Sequence, residues 1–94
     1  MELENDGTIT DVMDPIIKAK SFVYQWAKEN AKDPDFNFSD IKVVWFSKTL
    51  QNWKAILTIV HTTDDYIYEV SYNGDKKESY LDAYSKIQNV RIPD

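Results

Sequence analysis

The chain contains no cysteine. That excludes a disulfide framework and every thiolate metal site. It has a single histidine, His61, so the common zinc ligand sets cannot be assembled from its own residues. Glycine occurs only at positions 7 and 74, which removes glycine-rich phosphate loops and dinucleotide fingerprints. The longest unbroken apolar run is Val43-Val44-Trp45-Phe46, far below the ~20 residues that cross a bilayer. The first ten residues, MELENDGTIT, are acidic where a secretion signal would be basic and then apolar. These absences point to a cytoplasmic protein without a cofactor or metal.

Ninety-four residues, 43% of them hydrophobic, suffice for one small core. The formal charge of −5 is confined to the start of the chain. Glu2, Glu4, Asp6, Asp11 and Asp14 stand there without a base, whereas residues 15–94 hold eleven acids against eleven bases. The body is therefore neutral and does not attract a polyanion over distance. Residues 1–13 are expected to form an acidic, flexible N-terminal tail, with residues 14–94 as a single α+β domain.

Asp14-Pro15 is a helix start: Asp accepts a backbone N–H as N-cap, and Pro at the first position loses only a donor without a partner. Ile16, Ala19, Val23, Trp26, Ala27 and Asn30 recur at helical spacing, with Lys18, Lys20, Gln25, Lys28 and Glu29 on the other side. Pro34 stops the helix, and Phe36 and Phe38 in the following loop are expected to enter the core.

Three β-patterned runs follow, IKVVWF, WKAILTIVH and YIYEVSY. Loops as short as those between them imply antiparallel pairing. After Asn73-Gly74-Asp75 the sequence KKESYLDAYSKIQNV places Tyr80, Leu81, Tyr84, Ile87 and Gln88 on one side of a helix. Asn-Gly also favours a hairpin into a fourth strand, but the charged KKES run has low strand propensity. The expected order is α-β-β-β-α, a three-stranded antiparallel sheet with two helices packed on one face.

Strict alternation along the strands divides the sheet into two sets. Ile41, Val43, Trp45, Trp53, Ala55, Leu57, Ile59, Tyr66, Tyr68, Val70 and Tyr72 form the core set. The opposite set carries Val44, Phe46, Ile56, Val60 and Ile67, more large apolar groups than a solvated face needs. This set is the candidate partner-binding face, for another protein or for a second copy in a homodimer.

Other motifs are weaker. His61 beside Thr62, Asp64 and Asp65 could be drawn as a general base, but a lone histidine at a strand end is ordinarily polar surface. Asp33, Asp35 and Asn37 have the spacing of a calcium loop, which fails at Phe38 and Val44. No serine has a nucleophile context, so no enzyme activity is expected. An α-β-β-β-α order is also that of double-stranded-RNA-binding domains. Lys76 and Lys77 at the start of the expected second helix are thus the candidate nucleic-acid contacts of an alternative reading.

Three stretches, VVWFSKTLQNWKA (43–55), YEVSYNGDKKESY (68–80) and LDAYSKI (81–87), resemble a family of short uncharacterised proteins found in phages and prophages of Gram-positive bacteria. The motifs are aromatic and turn residues rather than catalytic ones. The resemblance implies no active site. It implies a small accessory protein in the cytoplasm of an infected or lysogenic bacterial cell, acting by binding host or phage proteins.

Overall fold

A computed structural model describes residues 14–94; the tail expected at residues 1–13 lies outside them. Helix α1 spans Pro15–Asn30. Asp14 Oδ1 accepts the Ile16 N–H at 2.7 Å, and Pro15 opens the first turn, as the sequence indicates. The helix ends where Ala31 turns extended, its N–H still bonded to the Ala27 carbonyl at 3.0 Å. Ala19, Val23 and Ala27, spaced by four, are fully buried. Two of the three being alanine lets the helix backbone lie close on the sheet, with Phe22 and Trp26 flanking the stripe. Lys18, expected on the solvated side, is also buried. Its stem lies against the sheet and its Nζ sits 4.2 Å from the Tyr72 ring centroid, a cation–π contact made by a long side chain reaching outward.

Residues 31–40 return the chain to the sheet. Lys28 holds this loop, donating from Nζ to the Pro34 and Phe36 carbonyls at 2.6 and 2.7 Å. Phe36 enters the core, edge-on to Tyr24. Phe38, expected to do the same, stays exposed in a short 3-10 turn, Phe38–Asp40.

Four strands follow: β1 (Ile41–Thr49), β2 (Asn52–Ile59), β3 (Tyr66–Asn73) and β4 (Glu78–Ser85). They form an antiparallel meander in the order β1-β2-β3-β4. The expected three-stranded sheet with two helices is therefore wrong, although the α+β class stands. The stretch after Gly74 is a strand, and among the described residues one helix, α1, covers one face of the sheet. The reason lies in the turn. Asn73 Oδ1 accepts the N–H groups of Asp75 and Lys76 at 3.0 and 3.2 Å, and Lys77 takes a positive φ of 54°. Together they reverse the chain so that Glu78 pairs with Asn73. Once reversed, ESYLDAYS finds a ready edge in β3, and eight ladder pairs outweigh the weak strand preference of its charged residues. Its residues have two periods at once. Tyr80, Leu81 and Tyr84 suit a helix, whereas Ser79, Leu81, Ala83 against Tyr80, Asp82, Tyr84 suit a strand.

Gly74 is required for space rather than for φ. A Cβ there would overlap the backbone carbonyl of Gln51 in the β1–β2 turn. The two hairpin tips are also bonded, Gly74 N–H to Asn52 Oδ1 at 2.8 Å and Gln51 Nε2 to Asp75 Oδ1. At the other end of the sheet, Asp33 Oδ2 accepts the Thr63 N–H at 2.9 Å, and Asp64 Oδ2 accepts the Asp33 N–H at 2.8 Å. This clamp ties the loop after α1 to the β2–β3 connection.

The core is one cluster: the α1 stripe, Phe36, Ile41, Trp53, Ala55, Leu57, Ile59, Tyr68 and Val70. Tyr68, at 1% exposure, is its largest fully buried side chain. Burial pushes its hydroxyl pKa up to about 12.

Candidate functional site: the open face of the sheet

The face opposite α1 is determined by a bulge in β1. Val43 pairs with Leu57 and Trp45 with Ile56, so Val44 and Trp45 together oppose one residue of β2. Beyond the bulge the alternation of β1 is inverted relative to an unbroken strand. Phe46 pairs with Ala55 and turns to the covered side, where its ring lies 6.0 Å from that of Trp53. Trp53 in turn stacks on Tyr72 at 5.6 Å. Trp45 turns to the open side instead. The parity expected for these two tryptophan and phenylalanine side chains is therefore exchanged, because an extra residue in a strand leaves no mark on its hydrophobic pattern.

Of the five residues expected on the open face, Val44, Ile56 and Ile67 lie there by register, and Val60 follows the same alternation one residue past β2. Phe46 does not. Cross-strand pairing adds residues that alternation in three strands could not supply: Trp45, and Tyr80 and Tyr84 of β4. Ile67 is 52% exposed and Trp45 47%, and both tyrosines are similarly open. The apolar groups fall into two patches. Val44, Trp45 and Ile56 meet at one side, while Ile67 pairs with Tyr84 at the other.

Between them runs a polar seam. Lys54 Nζ lies 2.9 Å from Glu69 Oε2, and Tyr84 donates its hydroxyl to Glu69 Oε1 at 3.1 Å. The lysine's hydrogen bond, then the tyrosine's, hold the Glu69 carboxyl below its ordinary pKa. The same contacts raise Lys54 and Tyr84. A shallow hollow of about 500 Å³ opens beside the seam, lined by Trp45, Ser47, Lys54, Ser71 and Tyr80 among others. An aromatic wall, hydroxyls and a fixed charge pair are groups that can bind a protein surface.

The remaining candidates take other places. Lys76 and Lys77 sit exposed in the β3–β4 hairpin between Asp75 and Glu78, not at a helix start. His61 is exposed at φ 61° in the β2–β3 connection. The Asp33 carboxylate serves Thr62 and Thr63, and the Thr63 N–H foremost lowers its pKa. Among the described residues no group of three or more His, Cys, Asp or Glu side chains could hold a metal ion. No helix among them is long and apolar enough to cross a membrane.

Comparison with curated proteins and with solved structures gives no match. A family model matches residues 16–94, which take in nearly all of α1 and the whole sheet, and the chain belongs to that family of unknown function, DUF6275.

Proposed function

We propose that this protein works by protein–protein binding through the open face of its sheet, without catalysis, as a small phage or prophage accessory protein in the bacterial host cytoplasm. The observation that carries the binding reading is the pair of apolar patches, Val44-Trp45-Ile56 and Ile67-Tyr84, exposed except at the half-buried Ile56 and flanking the Lys54–Glu69 seam. Among the described residues, α1 and Phe36 pack on the other side. Interfaces favour this combination: aromatic residues at the centre and a few oriented polar groups that fix the register of the partner. The phage context rests on the resemblance of the three sequence stretches and supports a host or phage protein as the partner.

The double-stranded-RNA-binding comparison depended on a second helix carrying Lys76 and Lys77. With a strand in that place, the topology offers it no support.

The test is capture from lysate of the phage's bacterial host with wild type and with Trp45→Glu. Trp45 is solvated on the open face, so the variant keeps the wild-type unfolding midpoint. The expected outcome is loss of a captured protein in that variant alone. Equal capture by both, with both folded, would remove the open face from the binding role.

A further inference from the structure

The sheet ends in two outer strands, and among the described residues no strand pairs with the free side of either. The two edges differ. β1 is broken by its bulge and carries Lys42 and Lys48, both of which discourage edge-to-edge pairing. β4 runs in unbroken register with β3 over eight pairs. Beyond Ser85 the chain continues without secondary structure, and Ile87 is 97% exposed there. On the covered side, α1 packs over β1, β2 and β3. A groove of about 250 Å³ remains between it and β4, walled by Phe22, Trp26 and Leu81.

We propose that β4 and its extension pair antiparallel with the same segment of a second copy, about a two-fold axis at Tyr84, joining two sheets into one. This goes beyond the open-face reading and does not depend on it. A two-fold relating adjacent antiparallel edge strands stands perpendicular to the sheet, so paired residues must share a face and the axis must fall on a residue. With the axis on Tyr84, Asp82 opposes the partner's Lys86, and symmetry repeats that acid–base pair. Leu81 then opposes the partner's Ile87 on the covered side. An aliphatic group that water surrounds in the single chain thereby closes the open end of the groove. Moving the axis one residue either way leaves Asp82 opposite Tyr84 or Gln88, with no acid of β4 facing a base. The competing contact of Lys86 is loose, 3.9 Å from Asp65 with both side chains more than half exposed.

Sedimentation of the full chain over a wide concentration range reads the association. Wild type is expected to dimerise. Asp82→Lys and Lys86→Asp, each placing like charges opposite one another twice, weaken the dimer about tenfold. An equimolar mixture of the two variants recovers it, since each then supplies the charge the other lacks. Because the chain has no cysteine, Tyr84→Cys gives an independent readout. Directly opposed residues stand about 4.5–5.5 Å apart at Cα, within disulfide reach, so this variant oxidises to a covalent dimer while Tyr80→Cys does not. A wild type that stays monomeric, variants that dimerise like wild type, or a mixture that fails to recover would each overturn the proposal. So would loss of the dimer in Trp45→Glu, which would assign self-association to the open face.

Discussion

The covered and open faces of this sheet hold similar side chains and use them differently. Both carry large aliphatics and aromatics on β1, β2 and β3. On the covered face Leu57 and Val70 are fully buried under α1. A ring series runs from the buried Trp53 to the half-buried Tyr72 on one side and to Phe46, 36% exposed at the margin, on the other. On the open face Trp45, Ile67 and Tyr84 remain half in water around an ion pair. Hydrophobicity alone therefore does not separate core from surface here; the position of one helix does. The sharpest test is a pair of truncations. Leu57→Ala leaves a cavity under α1 and is expected to lower stability by about 2–5 kcal/mol. Ile67→Ala on the other face is expected to change it by no more than about 0.5 kcal/mol. Denaturant midpoints at unchanged m-value read both. Equal losses would mean that the open face is covered in solution.

The bulge offers a finer comparison, since it sends neighbouring residues to opposite faces. Phe46→Asp places a charge beside Trp53 on the covered side and is expected to cost about 1–3 kcal/mol. Trp45→Asp, one residue earlier, is expected to be nearly neutral for folding. The reverse order of midpoints would show that β1 is regular and that Phe46 faces out.

Helix α1 was legible because its signals agree: Asp14 as cap, Pro15 in the first turn, and a stripe of small and branched residues at helical spacing. The first three strands were legible from alternation and short connections. Two features were not. The β4 segment satisfies helical and strand periods together, and only the reversal at Asn73–Lys77 decides between them, a matter of turn geometry rather than pattern. The bulge is invisible because an extra residue in IKVVWF changes no residue type, only which side Trp45 and Phe46 face. The candidate site inherits both gaps. Val44, Ile56, Val60 and Ile67 could be placed from alternation, but Trp45, Tyr80 and Tyr84 required the register. Lys18 shows the same limit on the helix, since nothing in its identity foretells a neighbour such as Tyr72.

The hairpin tips extend the comparison to the rim, where both faces end. Gly74→Ala must push its methyl into the Gln51 carbonyl, and an overlap with backbone relieves only by separating the two tips. A cost of about 1–3 kcal/mol is expected, with faster amide exchange at Gln51 and Gly74. Leu50 is the opposite case. It opens a two-residue turn at φ 56° and is exposed, a backbone position that suits glycine. Leu50→Gly is therefore expected to be neutral or stabilising by up to about 1 kcal/mol.

Titration separates the faces with opposite signs. Tyr68, under α1, has its pKa raised from 10.0 to about 12 by burial. A raised value means that the folded state holds its proton more tightly, so the contribution is complete below pH 10 and is lost as pH rises toward 12. Thermal midpoints of wild type should fall across that window, and Tyr68→Phe should remove its part of the fall. Glu69, on the open face, is shifted down by Lys54 and Tyr84. Its contribution is present above the ordinary carboxylate range and is lost as pH drops through the lowered value. Because Lys54 and Glu69 are both partly solvated, that acid-side change should be slight and should shrink further in salt. Glu69→Gln should flatten it without touching the alkaline limb. An acid limb in Glu69→Gln as steep as wild type would place the acid sensitivity elsewhere, with the Asp33 carboxylate at the loop clamp the other lowered acid among the described residues.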